Sequence, residues 1–253
     1  MLQTNAHHLI FEKLGTQKAV VTVCISLYNY ADHVLATLES VHRQTLDCFD
    51  LIIVDDHSKD QSLNIALSWC ENRSQRLNNV LLVQHDRNSG GPSAPRNKAI
   101  SLAKTPFVFM LDADNLLYPR CLERCLEALE ESDASMAYSI IERFGGETGI
   151  MGNELWDANM FAYRTYIDTM ALIRKESLEA VGGYSYMKFY GWEDYDLCCK
   201  FVEKDFYGVL VPEILGRYRV HKQSITQLSA IPNLKEIVDI IKSAHPWVKI
   251  EIQ

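Results

Sequence analysis

Two aspartates one residue apart, Asp112 and Asp114, carry the strongest chemical signal in the sequence. They follow an apolar run, and in an extended segment residues i and i+2 point to the same side. Paired carboxylates suit Mg²⁺ or Mn²⁺, which prefer hard oxygen ligands. Without a cation they would repel a diphosphate, by about 4 kcal/mol for each pair of unit charges about 4 Å apart at an effective dielectric constant of about 20. From the spacing alone, a turn capped by the aspartates is an equally good interpretation.

Polar side chains also follow two other apolar runs. Ser26 and Tyr28 come after the run Val20 to Ile25, and Asp56 follows Leu51 to Val54. An ionised carboxylate accepts hydrogen bonds without donating them, so Asp56 suits the N–H of a uracil-like ring. Tyr28 offers an aromatic face on which a base could stack. Taken singly, each residue is better explained structurally, as a core tyrosine and a helix cap.

Strands and helices must alternate to bring these residues together. Apolar runs predict strands near 20–25, 51–54, 80–83 and 106–111. Helical spacing and helix-start residues predict helices near 32–43, near 60–72, after Pro92 and after Pro119. This order predicts an α/β fold with a mainly parallel central sheet flanked by helices. Because ligands of such sheets bind beyond the carboxyl ends of the strands, the three polar segments should line one crevice.

The regular alternation of predicted strands and helices ends in the second half of the chain. Its predicted elements are short mixed strands, helices near 175–181 and after Trp192, and strands near 207–211 and 214–220. We interpret residues 1–230 as one domain, in which about 18–115 bind a nucleotide and 116–230 form a smaller, mixed acceptor side. Residues 231–253 are expected to form an appended helix and tail.

The composition fits an ordinary globular protein. The chain has 253 residues, of which 47% are hydrophobic and 23% charged, and its net charge is −8. This charge argues against a nucleic-acid-binding surface, which needs a basic stripe. Seven cysteines, an odd number without repeated close spacing, favour reduced thiols and a cytoplasmic location. No apolar stretch reaches the roughly 18 residues of a membrane span, although peripheral contact with the inner face of a membrane stays open.

Five segments resemble the motifs of the family 2 glycosyltransferases, in the same order and with similar separations. They are Val23 to Asn29 (VCISLYN), Ile53 to Asp60 (IVDDHSKD), Asn88 to Ala99 (NSGGPSAPRNKA), Leu111 to Asp114 (LDAD) and Gly191 to Leu197 (GWEDYDL). The match covers roughly residues 20–225. It implies a GT-A fold and an inverting transferase that moves a sugar from a nucleoside-diphosphate donor, usually linked to UDP. The acceptor would be a hydroxyl of a glycan, a lipid-linked sugar or another molecule, and Mn²⁺ or Mg²⁺ the cofactor.

The resemblance assigns donor-site roles to single residues. Those matched to nucleotide-sugar binding are Ser26, Tyr28, Asp56, Arg96 and Asp112. Asp114 matches the principal metal ligand, and Asp112 would support it directly or through the sugar and water. The metal and the diphosphate are therefore expected at the end of the strand near 106–111.

Four further residues are candidates. His221 lies where similar transferases often place a histidine near the metal or the diphosphate, and neutral imidazole is a good metal ligand. A surface histidine is an equally good interpretation. Trp156, Tyr190 and Trp192 would form an acceptor wall if their rings pack on sugar faces, and otherwise belong to the core.

Asp194 matches the position of the family's catalytic base. An inverting transfer is a single displacement in which a base takes the proton of the acceptor hydroxyl, and such a base contributes about 10²–10⁴ in rate. Glu193 would orient this segment or contact the acceptor. Without the resemblance, an acidic helix start, which the helix dipole favours, is the better explanation of the pair.

Two other functions stay open. A nucleotidyltransferase can share this layout and its metal–carboxylate chemistry, but it would be expected to have a glycine-rich phosphate loop directly after the first strand. The segment Ser26 to Tyr30 stands there without a glycine. A non-catalytic protein that binds a carbohydrate or a nucleotide is the second alternative, against which the intact Asp112, Asp114 and Asp194 argue.

Overall fold

Ten strands of the described chain form a single sheet. The structure, a computed structural model, describes residues 6–222, 224 and 226–251. The strands are β1 (His7–Lys13), β2 (Val21–Leu27), β3 (Asp50–Asp55), β4 (Val80–His85), β5 (Phe107–Asp112), β6 (Leu116–Leu117), β7 (Met136–Gly145), β8 (Gly149–Met151), β9 (Ala171–Arg174) and β10 (Gly208–Val220). The helices are α1 (Val34–His42), α2 (Ser62–Arg73), α3 (Ser93–Leu102), α4 (Cys121–Glu130), α5 (Lys175–Ala180), α6 (Glu193–Glu203) and α7 (Leu234–Ala244).

The centre of the sheet is parallel, as the sequence predicts. The strand order is β1-β4-β3-β2-β5-β9-β7-β10-β6, and β8 pairs with β7. Strands β4, β3, β2 and β5 run parallel to one another, as do β7 and β10, whereas β1, β6, β8 and β9 pair antiparallel. Val23 and Ile25 of β2 pack in one core cluster with α1 and α4, and Cys24 packs in the other with α3, α6 and α7. Helices therefore cover both faces, which explains the continuous apolar runs of β2 and β3.

Two strands differ from the sequence-based expectation. Strand β1, which the sequence analysis does not predict, pairs with β4 at the edge of the sheet and is largely exposed. The strands expected near 207–211 and 214–220 are one strand, β10, which shifts register against β7 between Val211 and Ile214. Pro212 lies at this shift, and a proline cannot donate to the hydrogen-bond ladder.

Side chains ahead of α2 fix the loop after β2. The N–H of Ser62, the first residue of α2, donates to Asp60 Oδ1 over 2.9 Å. The other oxygen of Asp60 accepts the N–H of Ala31, and Ser58 Oγ accepts the N–H of Asn29. Ser58 thus holds the loop that carries Tyr28.

The C-terminal segment, for which a helix and tail are predicted over residues 231–253, contains α7, and residues 252 and 253 lie outside the described residues. Ile237, Val238 and Ile241 of α7 are buried in the cluster that also contains residues of α3 and α6. In the part of the chain that the structure describes, no helix is long and apolar enough to cross a membrane.

A buried charge network ties the segment after α7 to α6. His245 Nε2 lies 3.1 Å from Asp196 Oδ1, and His245 Nδ1 lies 2.8 Å from Glu203 Oε1. Lys200 Nζ lies 2.9 Å from the other oxygen of Asp196. Burial alone would lower the pKa of His245, but the two carboxylates outweigh it and raise the pKa. Two carboxylates of α6 therefore favour the charged form of the histidine.

Replacing this histidine should cost stability in a pH-dependent way. Because the folded-state pKa of His245 is raised, its charge contributes stability that is fully present below the unfolded pKa near 6.5 and is lost as the pH rises through the folded pKa. His245→Gln should lower the free energy of unfolding by roughly 1.5–3 kcal/mol at about pH 6, with a smaller loss at about pH 9. Urea unfolding across this range measures the difference.

His8→Gln provides the control for this measurement. The His8 side chain is 71% exposed beside Asp86, so its replacement should change stability little at either pH. A difference between wild type and His245→Gln that stays constant or grows with rising pH would contradict the charged state assigned to His245.

Candidate active site

The polar residues at the ends of β2, β3 and β5 meet in one cavity of about 600 Å³. The residues singled out by sequence that line it are Ser26, Tyr28, Asp56, Arg96, Asp112, Asp114, Tyr190, Glu193 and Asp194. They come together because Ser26 on β2 is in register with Val54 on β3 and with Asp112 on β5, so that the three strands end side by side. Helix α3 and the start of α6 close the cavity on the other side.

The cavity is strongly acidic. The acidic residues that line it are Asp56, Asp112, Asp114, Asp168, Glu193 and Asp194. Within the described part of the lining, Arg96 is the only basic residue. A phosphorylated ligand could enter only with a cation beside it, because the carboxylates would otherwise repel it.

Arg96 on α3 joins two of these carboxylates. Its Nη2 donates to Asp112 Oδ1 over 2.7 Å, and its Nη1 donates to Glu193 Oε1 over 2.8 Å. The guanidinium also lies over the ring of Tyr184, 5.2 Å from the centroid. Burial alone would lower the pKa of Arg96, but Asp112 and Glu193 outweigh it and raise the pKa well above its ordinary value. One permanent cation therefore connects the end of β5 to the start of α6.

Asp114 pairs with His221, which follows β10. Asp114 Oδ2 lies 2.9 Å from His221 Nε2, and Arg219 Nε donates to the backbone oxygen of Asp114 over 3.0 Å. The Tyr30 ring lies 5.9 Å from that of His221. Burial and the carboxylates of Asp114 and Asp112 raise the pKa of Tyr30, so its hydroxyl stays protonated. Asp114 and His221 could each offer one ligand atom to a metal ion.

The Asp56 carboxylate is already engaged by protein groups. Its Oδ1 lies 2.6 Å from His85 Nδ1, and its Oδ2 accepts hydrogen bonds from Asn88 Nδ2 and from the N–H and Oγ of Ser89. Asp56 thus anchors the loop between β4 and α3, a task the sequence analysis does not foresee. Gly91 in this loop touches Tyr190, because a Cβ there would lie 2.3 Å from the tyrosine ring.

Glu193 and Asp194 form the first turn of α6. Glu193 Oε2 accepts the N–H of Gly191 over 2.9 Å, which fixes the turn leading into the helix. Asp194 Oδ1 accepts the N–H of Tyr195 over 2.8 Å. Burial, followed by the carboxylates of Glu193 and Asp168, raises the pKa of Asp194 well above its ordinary value. Asp194 is therefore a stronger base than an exposed aspartate.

Only one of the three aromatic candidates reaches the cavity. Tyr190 lines it, whereas Trp156 and Trp192 are absent from the described lining. Trp156 packs on Phe161, with ring centroids 4.7 Å apart, and Trp192 meets the ring of Tyr195 edge-on at 5.6 Å. Both half-buried rings pack on aromatic residues of the core, and a place for these two tryptophans in an acceptor wall stays a prediction.

Comparison with known families decides the relationship. The family model described as Glycosyl transferase family 2 matches residues 22–191, which is more than half of the chain. The chain belongs to this family. Its fold is the GT-A fold, as the resemblance implied.

Relatives of this family 2 member include a curated enzyme and two solved structures. Poly(ribitol-phosphate) beta-N-acetylglucosaminyltransferase TarP of Staphylococcus aureus is 33% identical over 131 residues, covering 50% of this chain and 37% of TarP. The S. aureus TarS 1-349 complex with UDP-GlcNAc has a TM-score of 0.73 at 18% identity and covers 88% of this chain and 66% of that one. Mannosyltransferase PcManGT from Pyrobaculum calidifontis, in complex with GDP-Man and Mn²⁺, has a TM-score of 0.64 at 20% identity. The match covers 83% of this chain and 59% of PcManGT. The chain spans between 20% and 37% of the length of the poly(ribitol-phosphate) transferases that it matches.

The family 2 site contains a residue that the sequence analysis misses. Asp168, in the loop before β9, lines the cavity, and burial raises its pKa to about 7. The N–H of Met170 opposes this rise, whereas the charges of Asp112 and Asp114 add to it. The local signal was weak: Asp168 lies shortly before the short apolar strand β9, whereas Asp56 and Asp112 lie at the carboxyl ends of β3 and β5.

Arg96 should be essential to the stability of this family 2 chain. Arg96→Met would leave Asp112 and Glu193 without their cation, so we expect the free energy of unfolding to fall by roughly 3–5 kcal/mol. In a double-mutant cycle, Glu193→Gln should recover part of that loss because it removes one of the unpaired charges. Urea unfolding of the single and double variants measures the coupling.

Arg73→Met is the matched control for the loss of a guanidinium. Arg73 is 50% exposed and pairs with Glu39 at the surface, so its removal should cost less than about 1 kcal/mol. Equal, small losses in Arg96→Met and Arg73→Met would show that Arg96 does not hold the carboxylates in place.

Proposed function

We propose that the chain transfers a sugar from a nucleoside-diphosphate donor, with UDP preferred, to a hydroxyl acceptor, with inversion at the anomeric carbon. Such a reaction belongs to the synthesis of a polysaccharide, a glycolipid or another glycan. The observation that carries the proposal is the meeting of Asp112 and Asp114 with Glu193 and Asp194 in one cavity, bridged by Arg96. In this view residues 18–115 bind the nucleotide and 116–230 form the acceptor side.

The residues around Asp114 fit a divalent cation such as Mn²⁺ or Mg²⁺. Asp114 Oδ2 and His221 Nε2 lie 2.9 Å apart, close to the spacing of about 3.0 Å between adjacent ligands of an octahedral ion bound at about 2.1 Å. Among the described residues, no group of three or more His, Cys, Asp or Glu side chains is arranged to hold a metal. Two protein ligands are nevertheless usual where substrate phosphates and water complete the coordination. When bound, the ion would neutralise negative charge on the leaving diphosphate.

The protein's own groups would position the donor around this ion. Asp112 is fixed by Arg96, and its second oxygen can accept a hydrogen bond from the sugar or from a water molecule. Tyr28, which is 39% exposed in the cavity, would stack on the base. Among the described residues, Asp56 Oδ1 is bonded to His85, and it would keep a lone pair for a base N–H.

Asp194 would act as the general base. It lies at the start of a helix that Arg96 and Glu193 fix, so its carboxylate is held by a rigid element. It would take the proton of the acceptor hydroxyl as that oxygen forms its bond to the anomeric carbon and the bond to the diphosphate breaks. The raised pKa makes this carboxylate a better proton acceptor while leaving it ionised at sufficiently high pH.

Metal and nucleoside contacts can be separated by binding measurements. Mn²⁺ should tighten UDP binding to the wild-type chain, and Asp114→Ala should abolish that enhancement. Asp56→Ala should weaken UDP binding by about tenfold or more with or without metal, since a hydrogen bond to a charged group contributes about 1.5–3 kcal/mol. Isothermal titration with UDP and GDP, with and without Mn²⁺, measures both effects.

Ser89→Ala is the control for the structural task of Asp56. It removes a contact from the loop and leaves the carboxylate in place. Unchanged UDP affinity in both Asp114→Ala and Asp56→Ala would contradict the assignment of Asp114 to the metal and of Asp56 to the nucleoside. A loss in Ser89→Ala as large as that in Asp56→Ala would make Asp56 a loop anchor only.

The role of Asp194 can be tested by transfer assays that start from UDP-GlcNAc, the donor in the TarS complex, with poly(ribitol phosphate), the acceptor named for TarP. Asp194→Asn keeps the shape and loses the basicity, so transfer should fall by about 10²–10⁴ while UDP affinity is retained. In the wild type, kcat/KM should fall as the pH drops through the raised pKa of Asp194, because the base must be ionised.

Asp133→Asn, at an exposed aspartate before β7 and outside the cavity lining, is the matched control and should keep its transfer rate. Wild-type transfer by purified Asp194→Asn would make Asp194 a helix-start acid only. A product with the donor's anomeric configuration would refute the single displacement. Pyrophosphate release, with a nucleotide joined to the product, would indicate a nucleotidyltransferase.

A further inference from the structure

Asp168 is held rigidly at the wall of the cavity. Its Oδ1 accepts the N–H of Met170 over 2.9 Å, directly before β9. The next residue, Thr169, is buried, and its Oγ1 lies 3.2 Å from the hydroxyl of Tyr184. The backbone of Tyr184 is in turn bonded twice to the side-chain amide of Asn97 on α3. The position of the Asp168 carboxylate is therefore set by packed neighbours on two sides.

Asp168 lies within electrostatic reach of both ends of the site. After burial, the charges of Asp112 and Asp114 contribute to the raised pKa of Asp168, and Asp168 contributes to the raised pKa of Asp194. Asp168 also lines the same cavity as Asp112, Asp114 and Asp194. In the proposed reaction the diphosphate binds at Asp112 and Asp114, and the acceptor hydroxyl binds at Asp194. The sugar ring that connects them would lie in the cavity whose wall includes Asp168.

The carboxylate of Asp168 has accepting capacity that the protein does not use. Its bond to Met170 occupies one oxygen, and among the described residues Oδ2 makes no hydrogen bond. Arg96, the one basic residue of the described lining, donates to Asp112 and Glu193. A carboxylate in this setting is best satisfied by a ligand that brings hydrogen-bond donors, and the donors of a sugar ring are its hydroxyls.

We propose that Asp168 accepts a hydrogen bond from a hydroxyl of the donor sugar and thereby selects among nucleotide sugars, an inference that rests on the proposed function. A site built to bond a substrate hydroxyl discriminates strongly against an analogue without it, because its polar group is then left unpaired. Asp168 is thus a specificity-determining residue, distinct from the groups that hold the diphosphate and from the base.

The test compares UDP with UDP-sugars by isothermal titration in Mn²⁺, using the full chain. Asp168→Ala should leave the affinity for UDP unchanged and lower the affinity for the preferred UDP-sugar by about tenfold or more. Among UDP-GlcNAc, UDP-glucose and their 3-, 4- and 6-deoxy analogues, the one lacking the contacted hydroxyl should bind wild type and Asp168→Ala equally. Asp168→Asn keeps the backbone contact with Met170. Its affinity for the UDP-sugar should lie between those of the wild type and Asp168→Ala, which would confirm that the loop is intact.

Asp157→Asn is the matched control, because Asp157 also accepts a backbone N–H two residues ahead, that of Asn159, but lies outside the cavity lining. Equal loss of UDP and UDP-sugar affinity in Asp168→Ala would make its role structural and overturn the inference. The inference would also be overturned if Asp168→Ala bound the UDP-sugar as tightly as the wild type does. The same holds if Asp168→Ala bound every deoxy analogue more weakly than the wild type does. A wild-type chain that binds neither UDP nor any UDP-sugar would overturn the proposed function itself, which distinguishes the two failures.

Discussion

Carboxylates that share a partly buried cavity repel one another, and a fold that gathers them must supply a compensating charge. In this chain the compensation comes from one guanidinium. Arg96 lies between Asp112 at the end of β5 and Glu193 at the start of α6, 2.7 and 2.8 Å from their oxygens. A lysine could not donate to both carboxylates with the same planar geometry. The relative position of the two acidic segments therefore depends on this side chain.

Arg96 offsets only part of the negative charge in the cavity, and this affects the chemistry that the cavity can support. Asp114, Asp168 and Asp194 face the same cavity without a lysine or arginine side chain bonded to their carboxylates among the described residues. The raised pKa values of Asp168 and Asp194 reflect this shortage of positive charge, after burial. A cation at Asp114 would relieve the repulsion and create a place for a diphosphate. The excess of negative charge is thus the reason a metal, a phosphate and a base can be proposed for the same cavity.

The sequence predicts those parts of the site that depend on local pattern. Strands β2, β3 and β5 are continuous apolar runs, and the polar residues at their ends had to converge once the sheet was parallel. Contacts between residues distant in the chain could not be predicted. Arg96 and Glu193 are 97 positions apart, and no local sequence pattern indicates that they form an ion pair. The sequence could not decide the place of Trp156 and Trp192, because an aromatic ring fits a core and a sugar wall equally well. Asp168 precedes a four-residue strand, which is too short to give a clear periodic signal.

Helix α6, which carries Glu193 and the proposed base Asp194, is held by polar contacts at both ends. At its start, Glu193 is bonded to Arg96 and to the N–H of Gly191. The N–H of Tyr190, just before the helix, donates to Ser229 Oγ in the segment that follows β10. Asp196 in its first turn and Glu203 at its last residue both contact His245 beyond α7. A base whose position must be accurate to a fraction of an ångström gains from a helix anchored in this way, since neither end can shift without breaking a buried polar contact. The C-terminal segment therefore supports the site through α6, although its charge network lies away from the cavity.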